Sequence, residues 1–256
     1  MKKAPLKSFN RLALYYDDIY SYKNYDRETV IINKLIQKYL DDKPKHILDV
    51  GCGTGGHLVS LARGKHALVG VDMSQKMLNI AKSKKIGNTK LHLGDARNFR
   101  LNEQFDVAIS LFHVLSYQIR NSDVQDFFST LRAHIKPSGL ILFDCWYGPG
   151  VLENKPTSQY KMIKTKNGCI HRFKKPTLRS NQNSVDVRHI FLIEEDGGHV
   201  VSAFEETHSM RYFFYPEIDY LLQTNGFKLL SWGGLAFPLK KITSPVWEIH
   251  CVAQRL

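Results

Sequence analysis

Through the first 145 residues, short runs of apolar side chains alternate with stretches whose apolar positions recur every three or four residues. The runs cover 46–50, 67–72, 90–93, 105–111 and 139–144. Each is short and almost continuously apolar, as a strand buried on both faces must be. Between them, Leu58-Val59-Ser60-Leu61-Ala62 and residues 74–85 and 121–135 read as helices, with Ser74 as an N-cap and Val124, Phe127, Phe128 and Leu131 facing inward. Ahead of the first run, Val30, Ile31, Leu35, Ile36 and Leu40 keep helical spacing until Asp41-Asp42-Lys43-Pro44 closes the segment. This alternation of strands and helices predicts a parallel sheet with right-handed crossovers, with Lys136-Pro137-Ser138-Gly139 turning into the fifth strand.

After Cys145 the period drops to two. Residues 185–193 alternate, Glu195-Asp196-Gly197-Gly198 reverses the chain, and 200–214 returns. A helix over 216–223 then stops at Asn225-Gly226, and strands over 227–232 and 245–253 finish the chain. The expected fold is α/β: a Rossmann-like, seven-stranded, mostly parallel sheet whose last strand runs antiparallel, with an antiparallel β insertion as a lid. The expected organisation is one domain over 1–256. It comprises a helical cap (1–45), a cofactor-binding core (46–145), the lid (146–215) and the closing helix and strands (216–256).

Composition narrows the partners. The 256 residues suffice to bury a core without staples. The four cysteines, Cys52, Cys145, Cys169 and Cys251, form no C-x-x-C pair, so neither a disulfide framework nor a metal site is expected, and a reducing cytoplasm fits. Met1 to Lys7 carries basic residues with no apolar stretch behind them, unlike a signal peptide, and no run is long enough to cross a membrane. The net charge of +12 admits nucleic acid, membrane or an acidic small molecule. Lysines and arginines crowd between Lys155 and Lys175, but Tyr160 and Phe173 are the only aromatic residues among them, too few for a nucleic-acid platform. A solvated basic surface ranks first and a groove steering a diphosphate second. Nothing in the sequence chooses between one copy and a homodimer.

The chemistry concentrates at the strand ends. His46 to Gly56 reads as a buried strand, an acid and a glycine-rich turn entering a helix. Glycines there let a ligand approach the backbone. Gly51, Gly53 and Gly56 satisfy G-x-G-x-x-G, while Gly51, Gly53 and Gly55 satisfy G-x-G-x-G, so the turn alone does not name the cofactor. The second strand ends in Asp72, about 20 residues on, where a carboxylate accepts from a ribose diol. The third runs into Gly94-Asp95-Ala96, a second acid suited to an exocyclic amine. A nicotinamide reading explains Asp72 but neither Asp95 nor Asp49.

Leu48-Asp49-Val50-Gly51-Cys52-Gly53-Thr54-Gly55, Gly70-Val71-Asp72-Met73-Ser74 with Met77-Leu78, Gly94-Asp95-Ala96, Phe105-Asp106-Val107 and the stretch from Leu131 to Gly139 stand in one order across about residues 46–145. In this the chain resembles the class I S-adenosylmethionine-dependent methyltransferases. The resemblance implies S-adenosyl-L-methionine as cofactor, leaving as S-adenosyl-L-homocysteine, with no metal. It also implies a cofactor site of Asp49, Gly51, Cys52, Gly53 and Gly55 at the methionine moiety, Asp72 at the ribose, Asp95 and Ala96 at the adenine, and Met73 and Leu111 beside them. Tyr16-Asp17, Tyr20, Lys23-Asn24-Tyr25 and the stretch Phe143-Asp144-Cys145-Trp146-Tyr147 are similar to bacterial N-methyltransferases of nucleotide-linked amino sugars. That implies a small, diphosphate-bearing acceptor, with Tyr16, Tyr20, Tyr25, Trp146 and Tyr147 at its pocket. The similarity fades after about residue 150, where Phe237-Pro238-Leu239-Lys240-Lys241 replaces the group's glycine- and arginine-containing segment.

Methyl transfer from a sulfonium needs alignment, exclusion of water and, for an amine or hydroxyl, a proton acceptor. Residues after the fourth strand face the methyl in this family, which makes His113 and Tyr117 the catalytic candidates. Glu206 and His208 share one face of the returning strand, turned toward either the pocket or solvent. Other readings stay open: a different small amine or hydroxyl acceptor, RNA, or a non-catalytic cofactor-binding subunit. The N-P-P-Y type tetrad of many nucleobase methyltransferases is replaced by Ser110-Leu111-Phe112-His113.

Overall fold

The computed structural model describes residues 11–43 and 45–256. The expectations for Met1 to Lys7 lie outside them. The parallel core forms where the apolar runs predict it: β1 (His46–Val50), β2 (Ala67–Asp72), β3 (Thr89–Leu93), β4 (Phe105–Ser110) and β5 (Ile135–Tyr147). They stand in the order β3-β2-β1-β4-β5, every adjacent pair parallel. The long helices α2 (Tyr25–Tyr39) and α5 (Asn121–His134) and the shorter α3 (Gly56–Leu61) and α4 (Gln75–Ser83) cover the sheet, after a short α1 (Tyr16–Ile19). Two apolar clusters result, one around Phe105, Phe127, Phe128 and Phe143, the other joining Ile32, Leu35 and Ile36 of α2 to Ile47, Leu58 and Leu142.

One connection is shorter than the general alternation predicts, and one local expectation needs correction. No helix joins β3 to β4 among the described residues. Asp95 accepts there from the Arg97 backbone N–H at 3.0 Å, and its carbonyl from Asn98 and Phe99, which turns the chain at once. Residues 136–139 belong to β5, the pairing with β4 slipping between Phe105 and Val107, with Ser138 at φ 64°.

Beyond β5 the chain passes through α6 (Gly148–Glu153) into four antiparallel strands, β6 (Gln159–Thr165), β7 (Gly168–Arg179), β8 (Ser184–Glu195) and β9 (His199–Phe213). After α7 (Tyr215–Thr224), β10 (Phe227–Gly233) and β11 (Glu248–Arg255) complete the central sheet, β11 lying antiparallel between β5 and β10. Seven strands thus make the central sheet. The four antiparallel ones extend it to eleven, because Trp146 and Tyr147 at the end of β5 pair in parallel with Tyr212 and Phe213 of β9. Among the described residues, no helix is long and apolar enough to cross a membrane.

A third apolar cluster sits between the layers. It joins Leu12, Tyr16 and Ile19 to Met77 of α4 and to Ile163, Ile170, Phe191 and Ile193 of the antiparallel strands. The N-terminal segment is therefore wedged between the parallel core and the added sheet. It is pinned at the glycine turn by Asp17, which accepts from Thr54 Oγ1 at 2.6 Å and pairs with Lys84 at 2.7 Å.

Candidate active site

A cavity of about 1100 Å³ opens at the carboxyl ends of the parallel strands and runs beneath the inner face of the antiparallel sheet. Pockets for single small ligands span roughly 300–1,000 Å³, so this one has room for two reactants side by side. Its floor is the glycine turn. Gly51 and Gly53 have φ of 78° and 54°, conformations that favour glycine, and a Cβ on Gly53 would point into open space. The turn is tied down from behind. The Gly51 and Cys52 N–H groups donate to Val71 O at 2.8 and 3.1 Å, and Gly53 N–H donates to Asp72 Oδ2 at 2.8 Å. Asp72 also accepts from Ser74 N–H at 2.8 Å, each oxygen retaining a lone pair that a ribose hydroxyl can use.

Of the residues expected at the cofactor, Gly51, Gly53, Asp72, Met73, Asp95, Ala96 and Leu111 line this cavity, while Asp49, Cys52 and Gly55 lie in or behind the turn without lining it. Asp49 is 2 % exposed, and its Oδ2 has no partner among the described residues. Burial, opposed by His57 and reinforced by Asp72, pushes its carboxyl up to about 7. An unpartnered buried carboxylate beneath a glycine cradle fits a cationic ligand group above it. Asp95 is held in place by Arg97, which donates from Nε at 2.8 Å and also pairs with Asp123 at 3.2 Å.

Tyr16, Tyr20 and Trp146 line the cavity, whereas Tyr25 and Tyr147 do not. Tyr25 lies over Gly56, where a Cβ would sit 2.5 Å from its ring, and meets His57 edge-on at 4.9 Å. Tyr147 packs against Trp232 at 5.9 Å on the far side of β5. In their stead Lys23 enters the cavity, its ammonium 4.5 Å above the Phe112 ring and 2.6 Å from Glu28.

The segment after β4 is held by a residue that the sequence did not single out. Phe112 and His113 are both left-handed, at φ 69° and 68°, and Asp144 at the end of β5 accepts from their N–H groups at 2.9 and 2.6 Å. Tandem positive φ without glycine costs of order 1–3 kcal/mol per residue, so these two charge-assisted bonds hold the turn in shape. They aim His113 into the cavity, with Nδ1 3.6 Å from Asp144 and Nε2 3.3 Å from Glu248. The turn ends at Tyr117, whose hydroxyl is hydrogen-bonded to His208 Nδ1 of β9 at 2.9 Å. His208 Nε2 in turn lies 3.5 Å from Glu206 Oε2. His208 is 4 % exposed, so the face shared by Glu206 and His208 turns inward. Burial, with Tyr20 and Glu206 nearby, raises the Tyr117 phenol well above its ordinary value.

Residues 47–139 match the family described as a methyltransferase domain. The chain is 24 % identical, over 81 % of its length and 85 % of the relative's, to dTDP-3-amino-3,4,6-trideoxy-alpha-D-glucopyranose N,N-dimethyltransferase from Streptomyces venezuelae. It is 28 % identical, over 86 % of itself and 87 % of the relative, to the putative methyltransferase YqeM of Bacillus subtilis. Its fold resembles a crystal structure of an S-adenosylmethionine-dependent methyltransferase from Clostridium acetobutylicum, with a TM-score of 0.81 at 21 % identity over 96 % of this chain and 98 % of that one. The chain is an S-adenosylmethionine-dependent methyltransferase.

The basic groups of this methyltransferase that sequence reasoning assigns to the surface are partly inside. Lys155 and Lys174 line the cavity, together with His189, Val187 and His208 of the neighbouring strands. Arg172 is 5 % exposed, with its Nε and Nη1 lacking a partner among the described residues, and its guanidinium lies 5.9 Å from the Tyr20 ring. With Lys161, Lys174 and Gln159 it borders an adjoining pocket of about 300 Å³. Burial, reinforced by Arg172 and Lys161, pushes the Lys174 ammonium down to about 8. The signal was present in the sequence: Arg172 and Lys174 stand two apart on one strand, hence on one face.

Proposed function

We propose that the chain transfers a methyl group to a small acceptor that carries a nucleophilic amine or hydroxyl at one end and phosphate at the other, a nucleotide-linked amino sugar above all. The observation that carries this reading is the continuity of one cavity from the glycine turn, past Tyr117, to Lys174 and the buried Arg172 beside it, two of whose nitrogens lack partners among the described residues. A guanidinium removed from water without a carboxylate costs several kcal/mol, which an anionic ligand would offset. Relatives named as dTDP-amino-sugar dimethyltransferases support the same reading.

In this reading Gly51 and Gly53 hold the methionine end of the cofactor, with Asp49, Cys52 and Gly55 shaping the turn from behind, while Asp72 and Met73 take the ribose and Asp95, Ala96 and Leu111 the base. S-adenosylmethionine supplies a methyl already activated on sulfonium, so the protein's task is alignment and proton removal. Tyr16, Tyr20 and Trp146 wall the acceptor and exclude water. Tyr117 faces the nucleophile, and its phenol passes the acceptor's proton to His208 Nδ1 while Glu206 steadies the imidazolium that forms. His113, fixed by Asp144 and Glu248, orients the acceptor from the other side.

Incubation with S-adenosylmethionine and a panel of dTDP- and UDP-linked amino and neutral sugars, read by mass, tests this. One or two added methyl masses on an amino sugar are expected. Methylation of free amino sugars at the same kcat/KM as their nucleotide-linked forms would remove the phosphate from the reading. No product from any of them, with cofactor bound, would remove the sugar as well.

A further inference from the structure

The antiparallel sheet has a second face. Lys174 and Pro176 of β7 turn toward the cavity, so the alternate residues Cys169, His171 and Phe173 turn away from it. On that outer face Cys169 pairs across with Glu194 of β8, and three donors of different chemistry converge. His171 Nε2 is 3.2 Å from Cys169 Sγ and 2.9 Å from Glu194 Oε2, and all three ligand atoms lie within 4.8 Å of one another. The other ring nitrogen, Nδ1, is 2.7 Å from the Tyr160 hydroxyl, and the tyrosine ring lies nearly parallel to the imidazole, 12° between planes.

We propose that Cys169, His171 and Glu194 bind a single divalent cation of the zinc type, with water completing a tetrahedral shell. The donor set argues for this class. One sulfur, one nitrogen and one carboxylate oxygen suit a borderline-soft ion, whereas calcium and magnesium require shells of oxygen. The spacing agrees. Bonds of about 2.0–2.3 Å in a tetrahedron set donors ~3.3–3.6 Å apart, a few tenths of an ångström beyond what is seen here. Tyr160 supplies the outer contact that fixes the ring and presents Nε2 to the ion.

The scaffold is rigid where it must be. Two ligands stand on one strand and the third directly across, and at Gly168 a Cβ would lie 2.0 Å from Glu194 O, so the two backbones approach closely beside the site. Cys169 is partly exposed while Cys52, Cys145 and Cys251 are buried, so it is the accessible thiol for an incoming ion. The consequence is a cross-link between β7 and β8 on the side opposite the transfer cavity. This inference is independent of the acceptor's identity.

The test uses the full chain without a metal-binding tag, reduced and stripped with chelator, then titrated with Zn²⁺ and, separately, Co²⁺. One ion per chain, a rise in Tm and a near-ultraviolet thiolate-to-cobalt band are expected. Cys169→Ser and His171→Ala should each weaken binding at least tenfold and abolish or shift that band. Unchanged S-adenosylmethionine affinity in both variants would show that they remain folded. No stoichiometric uptake by the parent protein would overturn the proposal. So would uptake and a cobalt band that persist in both variants.

Discussion

Asp144 and Asp72 solve the same problem on two strands of the parallel core, β5 and β2. A carboxylate can accept from two backbone N–H groups at once, and each shapes a loop in that way: Asp144 the left-handed pair Phe112-His113, Asp72 the residues Gly53 and Ser74. Asp72→Ala should weaken cofactor binding by about 1.5–3 kcal/mol, roughly tenfold to over a hundredfold in Kd by calorimetry. Tyr117→Phe should leave that Kd nearly unchanged and lower kcat by roughly 10²–10⁴ if the phenol relays the proton to His208. Loss of cofactor binding in a folded Tyr117→Phe protein would instead make the hydroxyl structural. Asp72 is legible in the sequence because it ends an apolar run at a fixed distance from the glycine turn. Asp144 ends a run too, but its role depends on a turn 31 residues earlier in the chain. The N-terminal tyrosines show the same limit: spacing cannot tell Tyr20, facing the cavity, from Tyr25, facing Gly56.

The added antiparallel sheet gives its two faces different chemistry through alternation alone. Inward on β7 stand Ile170, Arg172 and Lys174; outward stand Cys169, His171 and Phe173. The period of two is legible in the sequence, but which face meets the cavity is set by the docking of Tyr16 and Ile19 against Ile163 and Ile170. Lys174, held down to about 8, is cationic below that pH and neutral above it. The KM for a phosphate-bearing acceptor should therefore rise as pH passes about 8, and Lys174→Met should flatten that limb. Arg172→Ala should raise the same KM roughly tenfold to a hundredfold while leaving the Kd for S-adenosylmethionine alone. An acceptor KM indifferent to both changes would take the anionic group out of this pocket.

For the molecule as a whole, acid should be destabilising through identifiable groups. His189, buried beside His208, Lys174 and Arg172, is held down to about 3, whereas an unfolded histidine titrates near 6.5. Between those values the unfolded chain binds a proton that the folded one refuses. Its contribution is intact above about 6.5 and disappears as pH falls toward 3. Glu28 acts in the same direction lower down: burial opposes, but His57 and Lys23 hold it at about 2, so its contribution is lost below the ordinary carboxylate range. Asp49, raised to about 7, works the opposite way, favouring the fold most in acid and losing that advantage as pH rises to neutrality. Thermal melts of the cofactor-free protein between pH 7 and pH 4, compared with His189→Gln, check the sum. The Tm gap between the two should shift in favour of the variant as pH drops, and a constant gap would mean that His189 is not held neutral.

Among the described residues, the parallel core and the antiparallel sheet share only two backbone pairs, Trp146 with Tyr212 and Tyr147 with Phe213. With so short a seam, the added sheet is located chiefly by side-chain packing, through Leu12, Tyr16 and Ile19 against Ile163, Ile170, Phe191 and Ile193. Trimming that wedge should therefore loosen the alignment of His208 with Tyr117 while leaving the strand order of the parallel core unchanged.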